Sequence, residues 1–180
     1  MVEKVEFLPK SGERLSDPNY STQIVPTQPA IKQIRAKGEM IMLSGEYAHS
    51  IDPKGRVNFP AKLREELGIQ FVVTRGLDNC LFVYSLDEWK VLSDTISALP
   101  ISKARDFQRF FFSGAVQVEP DKQGRILLPT PLREHAKLTK DAVIIGAMNR
   151  AEIWDKERWD DTCGNMDSDK IALAMDEAGV

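Results

Sequence analysis

Two short segments of the chain place an arginine directly after a glycine and four residues after an aspartate. The first reads Asp52-Pro-Lys-Gly55-Arg56 and the second reads Asp121-Lys-Gln-Gly124-Arg125. A guanidinium group offers a planar fork of N–H donors that fits guanine O6 and N7, or a phosphate, through two hydrogen bonds at once. Glycine supplies the backbone freedom that a tight turn needs. The spacing therefore predicts two turns that each present one arginine, Arg56 or Arg125, for binding DNA.

The aspartates of these segments have a structural interpretation. An Asp side chain readily accepts hydrogen bonds from the backbone of a turn and from a nearby arginine. We therefore predict that Asp52 and Asp121 are local staples, side chains that hold the turn and its arginine in place, rather than DNA contacts. We predict that Gly55 and Gly124 are structural residues of the same motif. The same pairing leaves a second interpretation open, in which the two arginines serve only as ion-pair partners of the aspartates.

Further basic residues lie on the two turns and just after them. They are Lys54, Lys122, Lys62, Arg64 and Arg133. Together with the two arginines they predict one basic edge in each segment, which suits contact with DNA phosphates. Arg64 and Arg133 directly precede glutamates, so a solvated helix face remains an alternative for these two residues.

Other kinds of chemistry lack their usual residues. The sequence has no nucleophile–base constellation, no paired-carboxylate motif and no glycine-rich phosphate loop of the kind that enzymes use. Its two cysteines, Cys80 and Cys163, are far apart and have no metal-ligand spacing, and there are only two histidines. We therefore expect a protein that is not an enzyme and that has no metal and no cofactor.

The two arginine segments belong to an internal repeat. Residues 45–65 match residues 114–134 at a constant offset of 69 positions without a gap. After one inserted residue the match resumes at an offset of 70 and continues to Trp159. Such ordered self-similarity indicates a tandem duplication. We predict a first module at 43–90 and a second at 114–160, called the first and second copy below.

Both copies show the same order of predicted elements. A short strand of alternating hydrophobicity leads into the glycine turn, and a second strand begins at the arginine. Pro60 or Pro129 then opens a short helix, which Gly68 closes in the first copy. A hairpin of β-rich segments follows, with strands predicted at 71–74 and 81–84, and at 142–145 and 151–154. Because a copy of about 45 residues buries too little apolar surface alone, we expect strands to interleave with another copy, within or between chains.

Residues 91–113 are predicted to form linking helices between the copies. A capping box at residues 85–88 opens the first helix, and Pro100 ends it. Ser102 is expected to cap a second helix that runs through the phenylalanine-rich residues 107–112. We interpret these phenylalanines as core or interface residues rather than as a platform for stacking bases.

The ends of the chain differ from the repeat. Residues 1–42 contain four prolines and no sustained period, which predicts a flexible extension. An over-extended start or a non-native leader is our hypothesis for it. Residues 161–180 are predicted to be an acidic tail that forms an amphipathic helix or stays disordered. Residues 160–180 contain six acids and one lysine, whereas the rest of the chain has a formal charge of +2, which gives the total of −3. The negative charge is thus concentrated in the tail, and the global charge neither supports nor excludes DNA binding.

The doubled pattern Asp-x-x-Gly-Arg-apolar-x-apolar-Pro-x-x-Leu-Arg resembles the AbrB-like swapped-hairpin superfamily. Its doubling, with the segments at 74–84 and 109–115, resembles the MraZ family over about residues 43–160. Asn58, a polar residue within the first motif strand, and the long leader depart from that pattern. The resemblance implies a mixed α/β, mainly β fold: tandem duplicated AbrB-like swapped-hairpin β-barrel modules with short helices and linking helices, forming a pseudo-dimer. It also implies a homo-oligomeric ring that binds short repeated promoter sites before the division and cell-wall gene cluster.

The resemblance and the residues lead to one functional expectation and two alternatives. We expect a sequence-specific DNA-binding transcriptional regulator of that gene cluster, cytoplasmic and nucleoid-associated, with double-stranded DNA as its partner and no membrane association. The first alternative is an antitoxin-type swapped-hairpin protein whose acidic tail binds a toxin, although such antitoxins usually carry one copy per chain. The second is a ring-forming scaffold without DNA specificity, whose binding would be unchanged by Arg56→Ala and Arg125→Ala.

Overall fold

The same order of strands and helices occurs in both copies of the computed structural model, which describes residues 42–179. The strands are β1 (Glu46–Ser50), β2 (Arg56–Asn58), β3 (Phe71–Arg75), β4 (Leu81–Ser85), β5 (Val116–Val118), β6 (Arg125–Leu127), β7 (Asp141–Ala147) and β8 (Arg150–Asp155). The helices are α1 (Ala61–Leu67), α2 (Leu86–Ser97), α3 (Ile101–Phe107), α4 (Thr130–His135), α5 (Lys156–Gly164) and α6 (Ser168–Ala178). This order confirms the predicted mixture of strands and short helices, while the predicted extension over 1–42 lies outside the described residues except for Met42.

The two copies exchange their first strands. The main sheet has six strands in the order β1-β7-β8-β4-β3-β5, and all neighbours are antiparallel. Strand β1 of the first copy pairs with β7 of the second copy, and β5 of the second copy pairs with β3 of the first. The interleaving expected from the small size of each copy therefore takes place within one chain. A second, two-stranded sheet joins β2 to β6.

The main hydrophobic core lies between the six-stranded sheet, the β2–β6 pair and the short helices α1 and α4. Equivalent residues of the two copies contribute to it in pairs, 69 positions apart. These pairs are Val57 and Ile126, Phe59 and Leu128, Leu63 and Leu132, and Leu67 and Ala136, all of them buried. Because both copies fill a single core, neither copy buries its apolar side chains by itself.

A second cluster of buried residues contains several aromatic side chains and packs beneath the linking helices. The ring of Phe111 stacks with that of Phe82 at a centroid distance of 6.4 Å, and Phe112 lies 4.7 Å from Trp89. Trp159 lies 5.5 Å from Trp154 in the same cluster. The interpretation of the phenylalanine-rich segment as packing residues is therefore confirmed for Phe111 and Phe112.

The helix ends agree with the predicted caps at one position and differ at another. The Ser85 hydroxyl accepts a hydrogen bond from the Glu88 backbone N–H at 3.2 Å, as the capping box predicts. The predicted Ser102 cap is wrong, because α3 begins at Ile101 and Pro100 occupies the capping position. Proline has a fixed φ and no N–H group, so it starts a helix where the N–H would have no partner.

Beyond the repeat, the acidic tail is helical rather than irregular. Helix α6 begins after Asp167, whose carboxylate accepts from the Asp169 backbone N–H at 3.0 Å, and it ends at Gly179 in a left-handed conformation. Its apolar side chains Ile171, Leu173 and Met175 are exposed. No helix within residues 42–179 combines the length and apolar character needed to cross a bilayer.

Candidate nucleic-acid interface

Both predicted turns meet in one short antiparallel ribbon. Residues 52–58 and 121–127, here called the turn ribbon, contain the two turns and strands β2 and β6. In this ribbon Val57 lies opposite Ile126, and the strands start at opposite ends because they are antiparallel. Each strand is extended by one bond to the other turn: Phe59 N–H donates to Gly124 O and Leu128 N–H donates to Gly55 O, both at 2.9 Å. The repeat thus builds one composite surface rather than two separate sites.

Side-chain alternation divides the turn ribbon into a buried face and an outward face. Val57 and Ile126 are fully buried in the main core. The outward face carries the other four residues of the two strands, Arg56, Asn58, Arg125 and Leu127. Arg56 and Arg125 are diagonal neighbours across the strands, which places their backbones about 7–8 Å apart. Both predicted DNA-binding arginines therefore project from the same small surface.

Each arginine is held by the aspartate that precedes its turn. In the first copy the Arg56 Nε and Nη2 atoms lie 2.7 and 2.6 Å from Asp52 Oδ2. In the second copy the Arg125 Nε and Nη2 atoms lie 2.9 and 2.7 Å from Asp121 Oδ2. The other carboxylate oxygen of each aspartate accepts two backbone N–H groups of its own turn. Both aspartates form the bonds expected of local staples, and their role in place of a DNA contact stays a prediction.

The same geometry leaves part of each guanidinium group free to bind another molecule. The aspartate takes the side of the fork formed by Nε and Nη2, so the end formed by Nη1 and Nη2 points away from it. Within residues 42–179, neither Arg56 Nη1 nor Arg125 Nη1 forms a hydrogen bond. That end is the part of arginine that pairs with guanine O6 and N7. Stapling by aspartate and DNA contact are therefore compatible roles for one arginine.

The stapling bonds favour the ionised form of both aspartates. Hydrogen bonds from the Arg125 side chain, followed by that residue's backbone N–H, lower the pKa of Asp121 to about 2 from the ordinary 3.8. At Asp52 the Arg56 backbone N–H has the largest effect, and the Arg56 side chain adds to it, so that pKa is lowered as well. Both aspartates therefore remain charged, and hold their arginines, throughout the physiological pH range.

A titration of the carboxyl group of Asp121 by nuclear magnetic resonance tests this pairing. The folded pKa is below the unfolded value, so the stabilising effect is complete above about pH 4 and is lost as the pH falls through about 2. Arg125→Ala is expected to raise the pKa of Asp121 toward 3.8 without reaching it, since the backbone donors remain. A wild-type pKa near 4, or one that Arg125→Ala leaves unchanged, would contradict the staple.

Two of the three predicted lysines lie on the turns of the turn ribbon, and the third lies on the helix that follows the first turn. Lys54 and Lys122 are exposed on the two turns, and Lys62 is exposed on α1. None of the three forms an ion pair with another residue in the described range 42–179. Their ammonium groups are therefore available to solvent or to an anionic ligand.

Arg64 and Arg133 link the two copies and do not lie on solvated helix faces. Arg64 Nε donates to Phe59 O at 2.9 Å, and Arg133 Nε donates to Leu128 O at 3.0 Å. Each guanidinium lies against the glycine of the other copy's turn: a Cβ on Gly124 would lie 2.7 Å from Arg64 Nη2. The corresponding distance from a Cβ on Gly55 to Arg133 Nε is 2.9 Å. Both glycines also have a positive φ, which explains why glycine occupies these positions.

Two outward residues, Asn58 and Leu127, were not among the predicted site residues. Asn58 is exposed and Leu127 is 57% exposed, and each lies opposite an arginine across the turn ribbon. The period of two in a strand places residues 56 and 58 on one face, so alternation from Arg56 would have identified Asn58. Leu127 follows by the same alternation from Arg125. Whether any residue of this face contacts DNA remains a prediction at this point.

Comparison with known proteins identifies the family. The sequence profile described as "MraZ protein, putative antitoxin-like" matches the chain twice, at residues 42–110 and 111–177. The chain belongs to the MraZ family. The two matches cover nearly all of the described residues and correspond to the two halves of the internal repeat. The resemblance of the doubled motif to this family is thereby confirmed.

Several bacterial members of the MraZ family are similar to this chain along most or all of their length. The protein named "Transcriptional regulator MraZ" from Caldanaerobacter subterraneus subsp. tengcongensis is 59% identical over 143 residues, which are 77% of this chain and 100% of the relative. The protein of that name from Thermoanaerobacter sp. (strain X514) is 55% identical with the same coverage. That from Heliobacterium modesticaldum is 63% identical over 120 residues, 66% of this chain and 84% of the relative.

Proposed function

We propose that this MraZ-family protein is a sequence-specific DNA-binding transcriptional regulator that reads DNA with the turn ribbon. The observation that carries the proposal is the convergence of Arg56 and Arg125 on the outward face of one ribbon, each fixed by its aspartate with its outer donors free. The relatives named as transcriptional regulators support it, since they share more than half of the aligned residues. No part of this function requires catalysis.

The shape of the turn ribbon suits the major groove of DNA. That groove is about 12 Å wide and admits a two-stranded β-ribbon. Base edges in the groove present guanine O6 and N7 to arginine, and each well-formed bidentate contact contributes about 1–3 kcal/mol of discrimination against the wrong base. Arginines already held by aspartate lose less side-chain freedom on binding. The turn ribbon is therefore the DNA-reading element of the proposal.

The remaining basic residues are proposed to contact or support contacts with phosphates. Lys54 and Lys122 are exposed on the two turns, and Lys62 is exposed on α1; an exposed ammonium group can neutralise a phosphate. Arg64 and Arg133 bond the backbone of their own copy and pack against the glycine turn of the opposite copy, so we propose that they position the turn ribbon. Contacts of this kind fix the orientation of a protein on the duplex, while base contacts specify the sequence.

The finer features implied by the family resemblance are part of the same proposal. We propose that the exchanged strands are the AbrB-like swapped hairpins, with modules at 43–90 and 114–160, linking helices at 91–113 and an acidic tail at 161–180. Several chains would assemble into a ring that places one turn ribbon at each of several repeated promoter sites of the division and cell-wall gene cluster. Linked weak contacts then bind far more tightly together than alone. Such a regulator would be cytoplasmic and nucleoid-associated.

Binding of the purified full-length protein to DNA from upstream of its own gene tests this function. We expect that duplex to be bound roughly 1,000-fold or more tightly than a shuffled duplex of the same length. The logarithm of the association constant should fall linearly with the logarithm of the salt concentration, with a slope that reports the phosphates neutralised. Equal affinity for both duplexes at every salt concentration would overturn the proposal and favour a scaffold without DNA specificity.

A further inference from the structure

The outward face of the turn ribbon is symmetric in its arginines and asymmetric in its other two residues. The offset of 69 relates Arg56 to Arg125, and it also relates Asn58 to Leu127. An amide in one copy therefore replaces an aliphatic side chain in the other at equivalent exposed positions. Neither side chain belongs to the buried core, and Asn58 forms no side-chain hydrogen bond within the described residues 42–179. Packing and internal hydrogen bonding thus leave both side chains without an evident structural role.

The register of the turn ribbon assigns one of these residues to each arginine. Leu127 lies opposite Arg56, and Asn58 lies opposite Arg125. Directly opposed side chains in an antiparallel pair have Cβ atoms about 4.5–5.5 Å apart. The approximate two-fold relation between the copies passes through the buried central pair of Val57 and Ile126. One end of the outward face therefore presents arginine with leucine, and the other end presents arginine with asparagine.

These two side chains recognise different base edges. An asparagine amide forms two hydrogen bonds with adenine, at N6 and N7, whereas an aliphatic side chain contacts the C5-methyl group of thymine. A leucine that is 57% exposed beside charged residues gains from contact with such a methyl group, because this removes apolar surface from water. Each end of the turn ribbon can therefore prefer a different base next to the guanine contacted by its arginine.

We propose that Asn58 and Leu127 are specificity-determining residues that make the two halves of each DNA site unequal. Two arginines alone would read two equal halves, because the turn lysines, which differ in position between the copies, are proposed to contact phosphates and not bases. The asparagine end selects an adenine and the leucine end selects a thymine, so the ribbon binds its site in one direction. This inference rests on the proposed function of the turn ribbon as the DNA-reading element.

Selection of bound sequences from a pool of randomised duplexes tests the inference with four proteins. The wild-type protein should enrich a site with two unequal halves. Asn58→Leu makes both ends arginine with leucine, and Leu127→Asn makes both ends arginine with asparagine, so each single variant should enrich a palindromic site of its own kind. The double variant Asn58→Leu/Leu127→Asn restores one end of each type and should recover the wild-type site. For the wild type, a wrong base at either position should lower the affinity about tenfold or more.

A matched control separates base reading from general effects of an exposed apolar residue. Ile101 on α3 is 87% exposed and lies outside the turn ribbon, so Ile101→Asn should leave the enriched site unchanged. If wild type and all variants enrich the same site, the inference fails while the proposed function stands. A changed mass of the assembly for Leu127→Asn, with an unchanged site, would also overturn it by assigning Leu127 to a subunit contact. Absence of any enriched site for the wild type would instead refute the proposed function itself.

Discussion

A protein in which Arg56 and Arg125 are both replaced by alanine is expected to bind its specific duplex about 30-fold or more weakly than wild type. Each arginine is proposed to form a bidentate contact that contributes about 1–3 kcal/mol, and a difference of 1.4 kcal/mol is a factor of ten in affinity. Affinity for random DNA should fall much less, so the ratio of specific to random binding is the quantity to measure, by fluorescence anisotropy at constant salt.

Two further variants separate the loss of the guanidinium fork from other effects. Replacing both arginines by lysine keeps the charge but removes the planar pair of donors, so it should retain random binding and still lose specificity. Arg105→Ala removes an exposed arginine from α3, outside the turn ribbon, and should change neither quantity. Specific binding that survives in the double-alanine protein would show that the arginines serve only as partners of Asp52 and Asp121.

Replacing Gly146 by alanine is expected to destabilise the fold by about 2–3 kcal/mol, or more if the backbone of residues 43–44 cannot adjust. A Cβ at this position would lie 2.2 Å from the Ser44 backbone nitrogen and 2.5 Å from the Leu43 carbonyl carbon. Backbone atoms cannot move aside as the end of a side chain can, and overpacking typically costs about 1–3 kcal/mol. The displaced segment also carries the hydrogen bonds that join residue 43 to Met148, at 2.8 and 3.0 Å.

Urea unfolding of Gly146→Ala beside Gly164→Ala measures this effect against an identical chemical change. Gly164 lies at the end of α5, and a Cβ there would meet nothing within 4 Å. The helix propensity of alanine is more favourable than that of glycine by about 1 kcal/mol, so Gly164→Ala should leave the free energy of unfolding unchanged or raise it slightly. Equal stability of the two variants would contradict the close approach of residues 43–44, which precede β1, to Gly146 of β7.

The sequence predicts local structure well because each local feature has its own cause. Glycine after a staple aspartate predicts each turn, and Gly55 and Gly124 do have positive φ values of 80° and 77°. The capping box at Ser85 predicts the start of α2, and the β-rich segments predict both hairpins. The expected Ser102 cap fails because the preceding proline starts the helix two residues earlier.

The small size of each copy predicts that strands interleave, but the sequence does not show which strands pair, since pairing joins residues far apart along the chain. The offset shows that the copies are alike, but it does not tell whether β1 pairs with its own hairpin or with β7. For the same reason the sequence does not predict the contact of Arg64 with Gly124. In the sequence Arg64 lies beside Glu65 on a short predicted helix, which suggests a solvated position. The convergence of both arginines on one ribbon, on which the proposed function rests, is a property of the fold alone.

Substitution of guanine by 7-deazaguanine in the bound DNA tests whether Arg56 and Arg125 read guanine in the major groove. This base pairs normally but lacks the N7 acceptor. Replacing the guanines of the selected site one at a time should weaken wild-type binding by about tenfold or more at two positions. The same replacements should have no further effect on the Arg56→Ala/Arg125→Ala protein, because the contact is already absent. Equal losses in both proteins, or no loss in the wild type, would contradict the account.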